Sequence, residues 1–354
     1  MKKILQFTAL NLILAMGLNT SATACTRLVY KGTVESGIVI TARSMDWQED
    51  PLSNIWLFPR GMQRDGAAGT NSLRWTSKYG SIIVSGGMAN MGDLVTTDGM
   101  NEQGLAANLL YLAESDYGAV DISRPHLSIS LWAQYVLDNY ATVNQAVADL
   151  SGNSLQVVAP LMPNGRKSTL HLAISDASGD SAILQYIDGK LVIHHDPKYQ
   201  VMTNSPVFSQ QLAINKYWQD VGNSFVPGTA RAADRFVRTS MFIAEIPPVA
   251  DNNRALAIAL SVIRAVSVPM DLPPYPGKPN ISNTFWRTIA DNKNKVYYFD
   301  SALSPNVFWI PLSTLDFTAG AKVKKLTLVG GKIYAGNAAD HFVVTEPFRP
   351  LAAQ

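Results

Sequence analysis

The only cysteine of this 354-residue chain, Cys25, occupies a position that suggests chemistry. It directly follows Ala22-Thr23-Ala24, a small-x-small sequence of the kind that signal peptidases cleave. Cleavage there would give Cys25 both a thiol and a free α-amino group. Because an α-amino group titrates near about 7.7–8.0, part of it is unprotonated at neutral pH and can act as the base for the thiol. Cys25 is therefore a candidate nucleophile that carries its own base.

Two other roles for Cys25 stay open at this level. A lone cysteine is often a small buried apolar residue, and a cysteine directly after a signal sequence can be a site of lipid attachment. Lipidation favours Leu or a similar residue three positions before the cysteine, whereas this chain has Ala22 there. That residue argues against a lipid anchor.

The first 24 residues have the pattern of a secretory signal. Two lysines precede a charge-free, mostly apolar stretch from Ile4 to Leu18. This stretch is too short to cross about 30 Å of hydrocarbon comfortably, and no later segment has an uninterrupted apolar run long enough to do so. We therefore expect cleavage between Ala24 and Cys25, a periplasmic or secreted mature protein, and no membrane-spanning helix in it.

Composition excludes several classes of function. The chain has 29 Lys plus Arg and 27 Asp plus Glu, so the charge balance indicates no polyanionic partner such as a nucleic acid. One cysteine cannot form an internal disulfide, and with five scattered histidines it has no metal-ligand spacing. The motifs G-x-G-x-x-G, G-x-x-x-x-G-K-[ST], H-E-x-x-H and G-x-S-x-G do not occur. We expect neither a metal nor an organic cofactor.

The elements that must position Cys25 are mostly strands. Thr26–Tyr30 and Gly37–Arg43 predict an opening hairpin, and Asp188-Gly189 predicts a turn between two later strands. Further strands are predicted at Asn54–Phe58, Ser81–Ser85, Leu105–Leu110, Thr169–Ser175, Ala182–Ile187, Lys190–His195, Phe285–Ala290, Val296–Phe299 and Leu326–Val329. Helices are predicted at His126–Asn139, Val143–Leu150, Ser209–Val221, Ala230–Ala244 and Ala255–Ala265.

Strands and helices come in separate runs, which predicts an α+β fold of largely antiparallel sheets faced by helices. No repeat, Gly/Ser linker or low-complexity tract divides residues 25–354, so we expect one domain. The proline-rich Pro269–Pro279 is interpreted as a long surface loop within it.

Three further motifs place polar residues where strands end or helices begin: Arg43-Ser44-Met45-Asp46-Trp47, Thr203-Asn204-Ser205-Pro206 and Arg235-Phe236-Val237-Arg238. A fourth motif, Asp98-Gly99-Met100-Asn101-Glu102-Gln103-Gly104-Leu105, lies between the first two. With Cys25-Thr26, and in their order along the chain, these motifs resemble the choloylglycine hydrolase family of N-terminal-nucleophile hydrolases, which comprises conjugated bile salt hydrolases and penicillin V acylases. The resemblance implies a four-layer αββα sandwich of two antiparallel sheets, and a homo-oligomer, specifically a tetramer.

The resemblance also implies catalytic roles. Cys25 would be nucleophile and base, Asp46 would accept a hydrogen bond from its amine, and Arg43 would lie near the thiol and favour the thiolate. Asn204 would donate its side-chain amide to the oxyanion, with the main-chain N–H of Tyr111 as second donor. Arg235 would help to hold this geometry together.

The substrate implied by the resemblance is a linear, non-peptide carboxamide. Bile salt hydrolases have Asn where this chain has Tyr111, whereas penicillin V acylases typically have Tyr, which favours a planar aromatic acyl group. Trp47 is a candidate for the same pocket. We expect hydrolysis of penicillin V to 6-aminopenicillanate and phenoxyacetate, with long-chain N-acyl homoserine lactones as further candidates. The alternatives are a conjugated bile salt hydrolase and, from another class, an exported or lipid-anchored protein that binds a hydrophobic ligand.

Overall fold

The computed structural model describes residues 25–161, 168–222, 225–271 and 282–353. The predicted signal, residues 1–24, lies outside the described residues, and so does most of the predicted loop at Pro269–Pro279. Within the described ranges, every helix is too short or too polar to cross a lipid bilayer.

Strands make up most of the regular structure. They are β1 (Thr26–Lys31), β2 (Val39–Trp47), β3 (Ile55–Phe58), β4 (Gln63–Asp65), β5 (Arg74–Thr76), β6 (Ser81–Met88), β7 (Gly92–Asn101), β8 (Ala106–Tyr111), β9 (His126–Ser128), β10 (Gln156–Val158), β11 (Leu170–Ser175), β12 (Ser181–Ile187), β13 (Lys190–His195), β14 (Val201–Met202), β15 (Asn283–Asp291), β16 (Val296–Ser301), β17 (Val307–Pro311), β18 (Lys324–Leu326), β19 (Gly336–Asn337) and β20 (Val343–Val344). The α-helices are α1 (Trp132–Asn139), α2 (Val143–Leu150), α3 (Phe208–Asp220), α4 (Ala232–Glu245) and α5 (Asn252–Ala265).

Two large sheets organise these strands. The seven-stranded sheet has the order β14-β1-β2-β15-β16-β17-β19, and the nine-stranded sheet has the order β13-β12-β11-β8-β7-β6-β3-β18-β20. Neighbouring strands are antiparallel except for β17 and β19 at one edge. Strands β4 and β5 form a separate antiparallel pair, and β9 and β10 a parallel one.

The two sheets pack face to face, and helices cover their outer faces. Because side chains alternate along a strand, Ile82 joins the core between the sheets, whereas Ile83 belongs to the outer apolar cluster that includes residues of α1 and α2. On the other side, α5 packs on β1, β2 and β15 of the seven-stranded sheet, and Val262 shares an apolar cluster there with Leu28 and Ile40. The layers are therefore α, β, β, α, which confirms the predicted α+β sandwich.

Short-range sequence signals are also confirmed. The opening hairpin forms with Thr26 opposite Ser44, and Asp188 (φ 49°) and Gly189 (φ 73°) make the tight turn between β12 and β13. The helix predicted at Val143–Leu150 forms as α2, and the hydroxyl of Thr142 accepts a hydrogen bond from the Gln145 N–H at its start.

The helix predicted over His126–Asn139 is too long at its start. The first three residues form β9, which pairs with β10, and a 3-10 turn, Ile129–Leu131, follows. The Ser128 hydroxyl accepts the Ser130 N–H, an alternative to a helical hydrogen bond that serine offers the backbone. The α-helix therefore begins only at Trp132.

Strand β7 was not among the predicted strands, although its second half carries one of the motifs. Glycine and aspartate are depleted in strands, and β7 contains two of each. At Gly99 an added Cβ would lie 2.6 Å from the carbonyl oxygen of Ile82, so close packing against β6 accounts for this glycine. Strand β17 was also missed, and the strand predicted at Leu326–Val329 lies earlier, at Lys324–Leu326.

Gly104, in the same motif, offers a test of the packing. It has φ +88°, and an added Cβ would lie 2.2 Å from the carbonyl oxygen of Asn292. Gly320 has φ +86° with nothing within 4 Å of an added Cβ. Both Gly→Ala changes should lower the free energy of unfolding by about 1–2 kcal/mol, because alanine is strained at a positive φ. Gly104→Ala should lower it by about 1–3 kcal/mol more, because its Cβ clashes with the neighbouring carbonyl. Thermal melting of the two variants measures the difference, and equal melting temperatures would contradict the packing described.

Candidate active site

Cys25 lies immediately before β1 and is buried with the inner faces of the two sheets. Its thiol donates to the carbonyl oxygen of Asp46 at 3.6 Å, and Nη2 of Arg43 lies 3.7 Å from Sγ. Both partners belong to β2, whose pairing with β1 brings the end of one strand to the start of the other. The opening hairpin therefore positions the thiol.

Asn204 holds the nitrogen of Cys25. Strand β14 pairs with β1, so the segment that follows β14 passes beside Cys25. The Cys25 nitrogen donates to Oδ1 of Asn204 at 2.6 Å, and Nδ2 of Asn204 donates to the Tyr111 carbonyl at 2.7 Å. Because Nη2 of Arg235 also donates to Oδ1 at 2.9 Å and a guanidinium can only donate, this network fixes the orientation of the amide.

Arg235, in the first turn of α4, binds three segments of the chain together. Its Nη1 donates to the Cys25 carbonyl at 2.7 Å and to the Thr26 hydroxyl, while Nη2 donates to Asn204. The side chain is fully buried, and burial lowers the pKa of its guanidinium against the opposing effect of Asp46, whose carboxylate lies 3.8 Å away. Arg235 thus fixes the residue that would begin the mature chain.

The carboxylate of Asp46 has its own partners in the full chain, where the Cys25 nitrogen is a peptide N–H and not yet an amine. The Cys25 nitrogen donates to Asn204, while the Asp46 carboxylate accepts hydrogen bonds from Thr284 Oγ1 at 2.5 Å and Ser44 Oγ at 3.2 Å. Burial raises the pKa of Asp46, and Arg235 and the two hydroxyls act in the opposite direction. In this arrangement Asp46 is a counter-charge for Arg235 beside Cys25.

Burial also dominates the acidity of the nucleophile. It raises the pKa of the Cys25 thiol, outweighing the Arg43 cation, which lowers it. The nearby cation therefore does not suffice to make a thiolate in this site. A base is needed to remove the thiol proton, and a free α-amino group on the same residue would supply one.

An aromatic pair lies next to this network. The rings of Trp47 and Tyr111 meet edge to face, with centroids 6.2 Å apart and planes at 71°, and both side chains are partly buried. Tyr111 contributes its main-chain carbonyl to Asn204 as well as its ring to the pair. The structure therefore brings all seven predicted site residues into one region.

The sequence analysis assigned no role to three supporting residues. Thr284 lies opposite Asp46 on β15, and Thr26 accepts a hydrogen bond from Arg235. Gln211 of α3 donates to the carbonyls of Asn204 and Pro206, which fixes the loop between β14 and α3. Threonine and glutamine are common in supporting positions, so residue type alone gave no signal for them.

Acidic, histidine and cysteine side chains are not grouped as a metal site requires anywhere in the described ranges. The chemistry that the site can perform with its own groups is nucleophilic attack by sulfur, with amide and main-chain donors available for a developing oxyanion.

Family comparison agrees with this geometry. Residues 25–324 match the model of the linear amide C–N hydrolases, choloylglycine hydrolase family. The chain belongs to this family and is an amidohydrolase that acts on linear amides.

Individual relatives are more specific. The chain is 48% identical over 344 residues to a penicillin V acylase of Pectobacterium atrosepticum, covering 92% of this chain and 91% of the relative. It is 53% identical to the solved structure of penicillin V acylase from Agrobacterium tumefaciens, with a TM-score of 0.85. The match covers 93% of this chain and 100% of that one. A bile salt hydrolase/transferase of Clostridium perfringens is 28% identical over 242 residues, covering 61% and 70%.

The effect of Arg43 on the thiol can be measured directly, because Cys25 is the only cysteine. In Arg43→Gln the thiolate loses its nearest cation, so the thiol pKa rises and the pH profile of alkylation by iodoacetamide moves to higher pH. Arg27→Gln is the matched control, since Arg27 is another buried arginine of the seven-stranded sheet that does not contact the thiol. If the pH profile of Arg43→Gln were unchanged, or moved to lower pH, this geometry would be contradicted.

Proposed function

We propose that this chain is an exported penicillin V acylase whose mature form begins at Cys25. The observation that carries the proposal is the 48% identity to a penicillin V acylase over 92% of the chain. The aromatic pair of Trp47 and Tyr111 supports it, because the Tyr111 carbonyl is bound to Asn204 of the site and an aromatic wall suits a phenoxyacetyl group.

The proposed reaction has two halves. The α-amino group of Cys25 accepts the thiol proton, and the sulfur attacks the side-chain amide carbonyl of the substrate. The tetrahedral intermediate collapses as the ammonium returns this proton to the leaving nitrogen, which releases 6-aminopenicillanate and leaves a thioester on Cys25. The amine then accepts a proton from water, and the resulting hydroxide attacks the thioester carbonyl. The second tetrahedral intermediate collapses with cleavage of the C–S bond, the ammonium returns its proton to the thiolate, and phenoxyacetic acid leaves and ionises to phenoxyacetate.

The oxyanion of each intermediate needs donors, and we assign Nδ2 of Asn204 and the main-chain N–H of Tyr111 to this role. In the structure Nδ2 of Asn204 donates to the Tyr111 carbonyl. Substrate binding must therefore exchange this acceptor for the substrate oxygen. Arg235 and Asp46 hold Cys25 in place during the exchange.

Export completes the proposal. The signal pattern of residues 1–24 and a family match that begins at residue 25 support cleavage between Ala24 and Cys25, in the periplasm or on secretion. Residues 25–354 would then form one catalytic domain, and the resemblance to the family supports a homo-oligomer, specifically a tetramer.

The free amine is the part of the mechanism most open to test. A protein with one extra alanine before Cys25 has an amide in place of the amine, so it should fold but lose at least about 100-fold of its turnover of penicillin V, the lower end of what a positioned base contributes. Intact mass spectrometry establishes the first residue of each protein, and circular dichroism checks the fold. Turnover by the extended protein near that of the protein beginning at Cys25 would overturn the mechanism.

Other substrates fit the same chemistry. Long-chain N-acyl homoserine lactones and conjugated bile salts are also linear amides with an apolar acyl half, and a relative at 28% identity is a bile salt hydrolase/transferase. Family membership favours an enzyme over the alternative of a ligand-binding protein. Lipid attachment to the Cys25 amine would block the proposed base.

Tyr111 tests the choice among these substrates, because only its side chain changes while its main-chain groups remain. Tyr111→Asn should lower kcat/KM for penicillin V by about tenfold, the loss expected for one aromatic contact, and change glycine-conjugated bile salt turnover less. Tyr111→Phe keeps the ring and is the matched control. An unchanged preference in Tyr111→Asn, or a preference of the unmodified protein for bile salts, would contradict the proposed substrate.

A further inference from the structure

One residue of the motif at 98–105 has no role in the reaction as described so far. Asn101 donates through Nδ2 to the carbonyls of Leu137 and Tyr140, and Glu102 forms an ion pair with Arg60, so both stabilise the fold. Asp98 instead points into the space between the two sheets, where the active site lies.

The carboxylate of Asp98 is buried, with 2% of the residue exposed, and it contacts both sheets. Oδ2 accepts a hydrogen bond from Asn108 Nδ2 at 2.7 Å on β8. Oδ1 accepts hydrogen bonds from Thr288 Oγ1 at 3.2 Å and from the Tyr297 hydroxyl, on β15 and β16. Its nearest cation is Arg43, with Nη1 3.9 Å from Oδ2.

Arg43 therefore lies between Asp98 and the nucleophile. Its Nη2 faces the sulfur of Cys25 at 3.7 Å and donates to the Leu109 carbonyl at 3.2 Å, and the guanidinium stacks on Trp286 at 4.6 Å. Its Nε and Nη1 are buried and have no hydrogen-bond partner. On the side of the guanidinium that carries Nε and Nη1, the negative charge of Asp98 compensates the buried positive charge of Arg43.

A second buried arginine, Arg27, shows how this fold buries a guanidinium without a carboxylate. Arg27 donates to Ser181 Oγ and to the carbonyls of Ile174 and Tyr199, and burial lowers its pKa to about 9. Neutral oxygens thus suffice to bury a guanidinium in this protein. A carboxylate beside Arg43 is not needed to bury the cation, and so it points to a role in the site.

The charges of the site are balanced before the thiol ionises. Arg235 has Asp46 at 3.8 Å, and Arg43 has Asp98 at 3.9 Å. The charged and titratable groups that face the thiol or lie behind Arg43 are Arg43 and Asp46 of β2, Arg235 of α4, Asp98 of β7 and Tyr297 of β16. Once the chain begins at Cys25, its α-amino group joins them. A thiolate formed here would therefore not be the sole anion available to Arg43.

We propose that Asp98 is a positioning residue that balances the charge of Arg43 and so keeps the Cys25 thiolate reactive. Without this carboxylate, Arg43 would hold the thiolate as its only counter-ion, and a thiolate stabilised in this way is a weaker nucleophile. The inference deepens the proposed function, since it rests on Cys25 as the nucleophile.

The test is the near-isosteric variant Asp98→Asn, which removes the charge and keeps a polar side chain among the same partners. Alkylation of Cys25 by iodoacetamide is followed from pH 5 to 10, on the protein that begins at Cys25. We expect the midpoint of the profile to move to lower pH. The limiting rate should fall about threefold for each pH unit of that movement, as a Brønsted coefficient of 0.4–0.5 gives.

Asp138→Asn is the matched control. Asp138 is also fully buried and bound to an arginine, Arg64 at 3.2 Å, but it lies in α1 on the outer side of the nine-stranded sheet. Removing the charge of Asp138 should lower the melting temperature without moving the pH profile of Cys25 alkylation.

A midpoint in Asp98→Asn that stays with that of the unmodified protein, or rises, would overturn the inference and leave Asp98 a structural residue like Asp138. Because alkylation needs no substrate, this result is independent of which amide is cleaved. Failure of the unmodified protein to hydrolyse penicillin V would instead count against the proposed function alone.

Discussion

The proposed site depends on how the end of a chain can be held in place. A nucleophile that begins the mature protein is anchored covalently on one side only, so hydrogen bonds must fix the other side. Asn204 accepts from its nitrogen, and Arg235 donates to its carbonyl and to Asn204 at the same time. The remaining features of the site, from the pairing of β14 with β1 to the start of α4, bring these two side chains to Cys25.

The same burial that fixes Cys25 makes its ionisation unfavourable. Desolvation raises the pKa of the thiol, and the cation of Arg43 offsets only part of that effect. A site built around a permanent thiolate would need an excess of positive charge, whereas here each buried arginine beside the thiol has its own carboxylate. This balance suits a mechanism in which the thiol gives up its proton to an adjacent amine only when it attacks.

Much of this arrangement could be predicted from the sequence. Hydrophobic runs and turn residues located most of the strands, as the tight turn at Asp188 and Gly189 illustrates. The residues that meet around Cys25 were predicted from the resemblance of their motifs to a known family. Strand β7 was not predicted, because glycine and aspartate are atypical of strands. Contacts with other strands, which the sequence does not show, account for Gly99 and Asp98.

Partners separated by long stretches of chain were beyond sequence reasoning. The contacts of Asp46 with Thr284 and of Asp98 with Arg43 join different strands, and the second pair joins different sheets. The acceptor of the Cys25 nitrogen in the full chain is Asn204, which lies about half the chain away, so sequence spacing gave no sign of this contact.

The central claim, that Cys25 at the start of the mature chain is the nucleophile, is tested most directly by trapping the acyl-enzyme. Protein quenched in acid during turnover of penicillin V is digested, and its peptides are mapped by mass spectrometry. The account predicts a phenoxyacetyl group on the sulfur of a peptide that begins at Cys25, released by hydroxylamine as a thioester should be. An acyl group on another residue, or on a peptide in which a residue precedes Cys25, would contradict it.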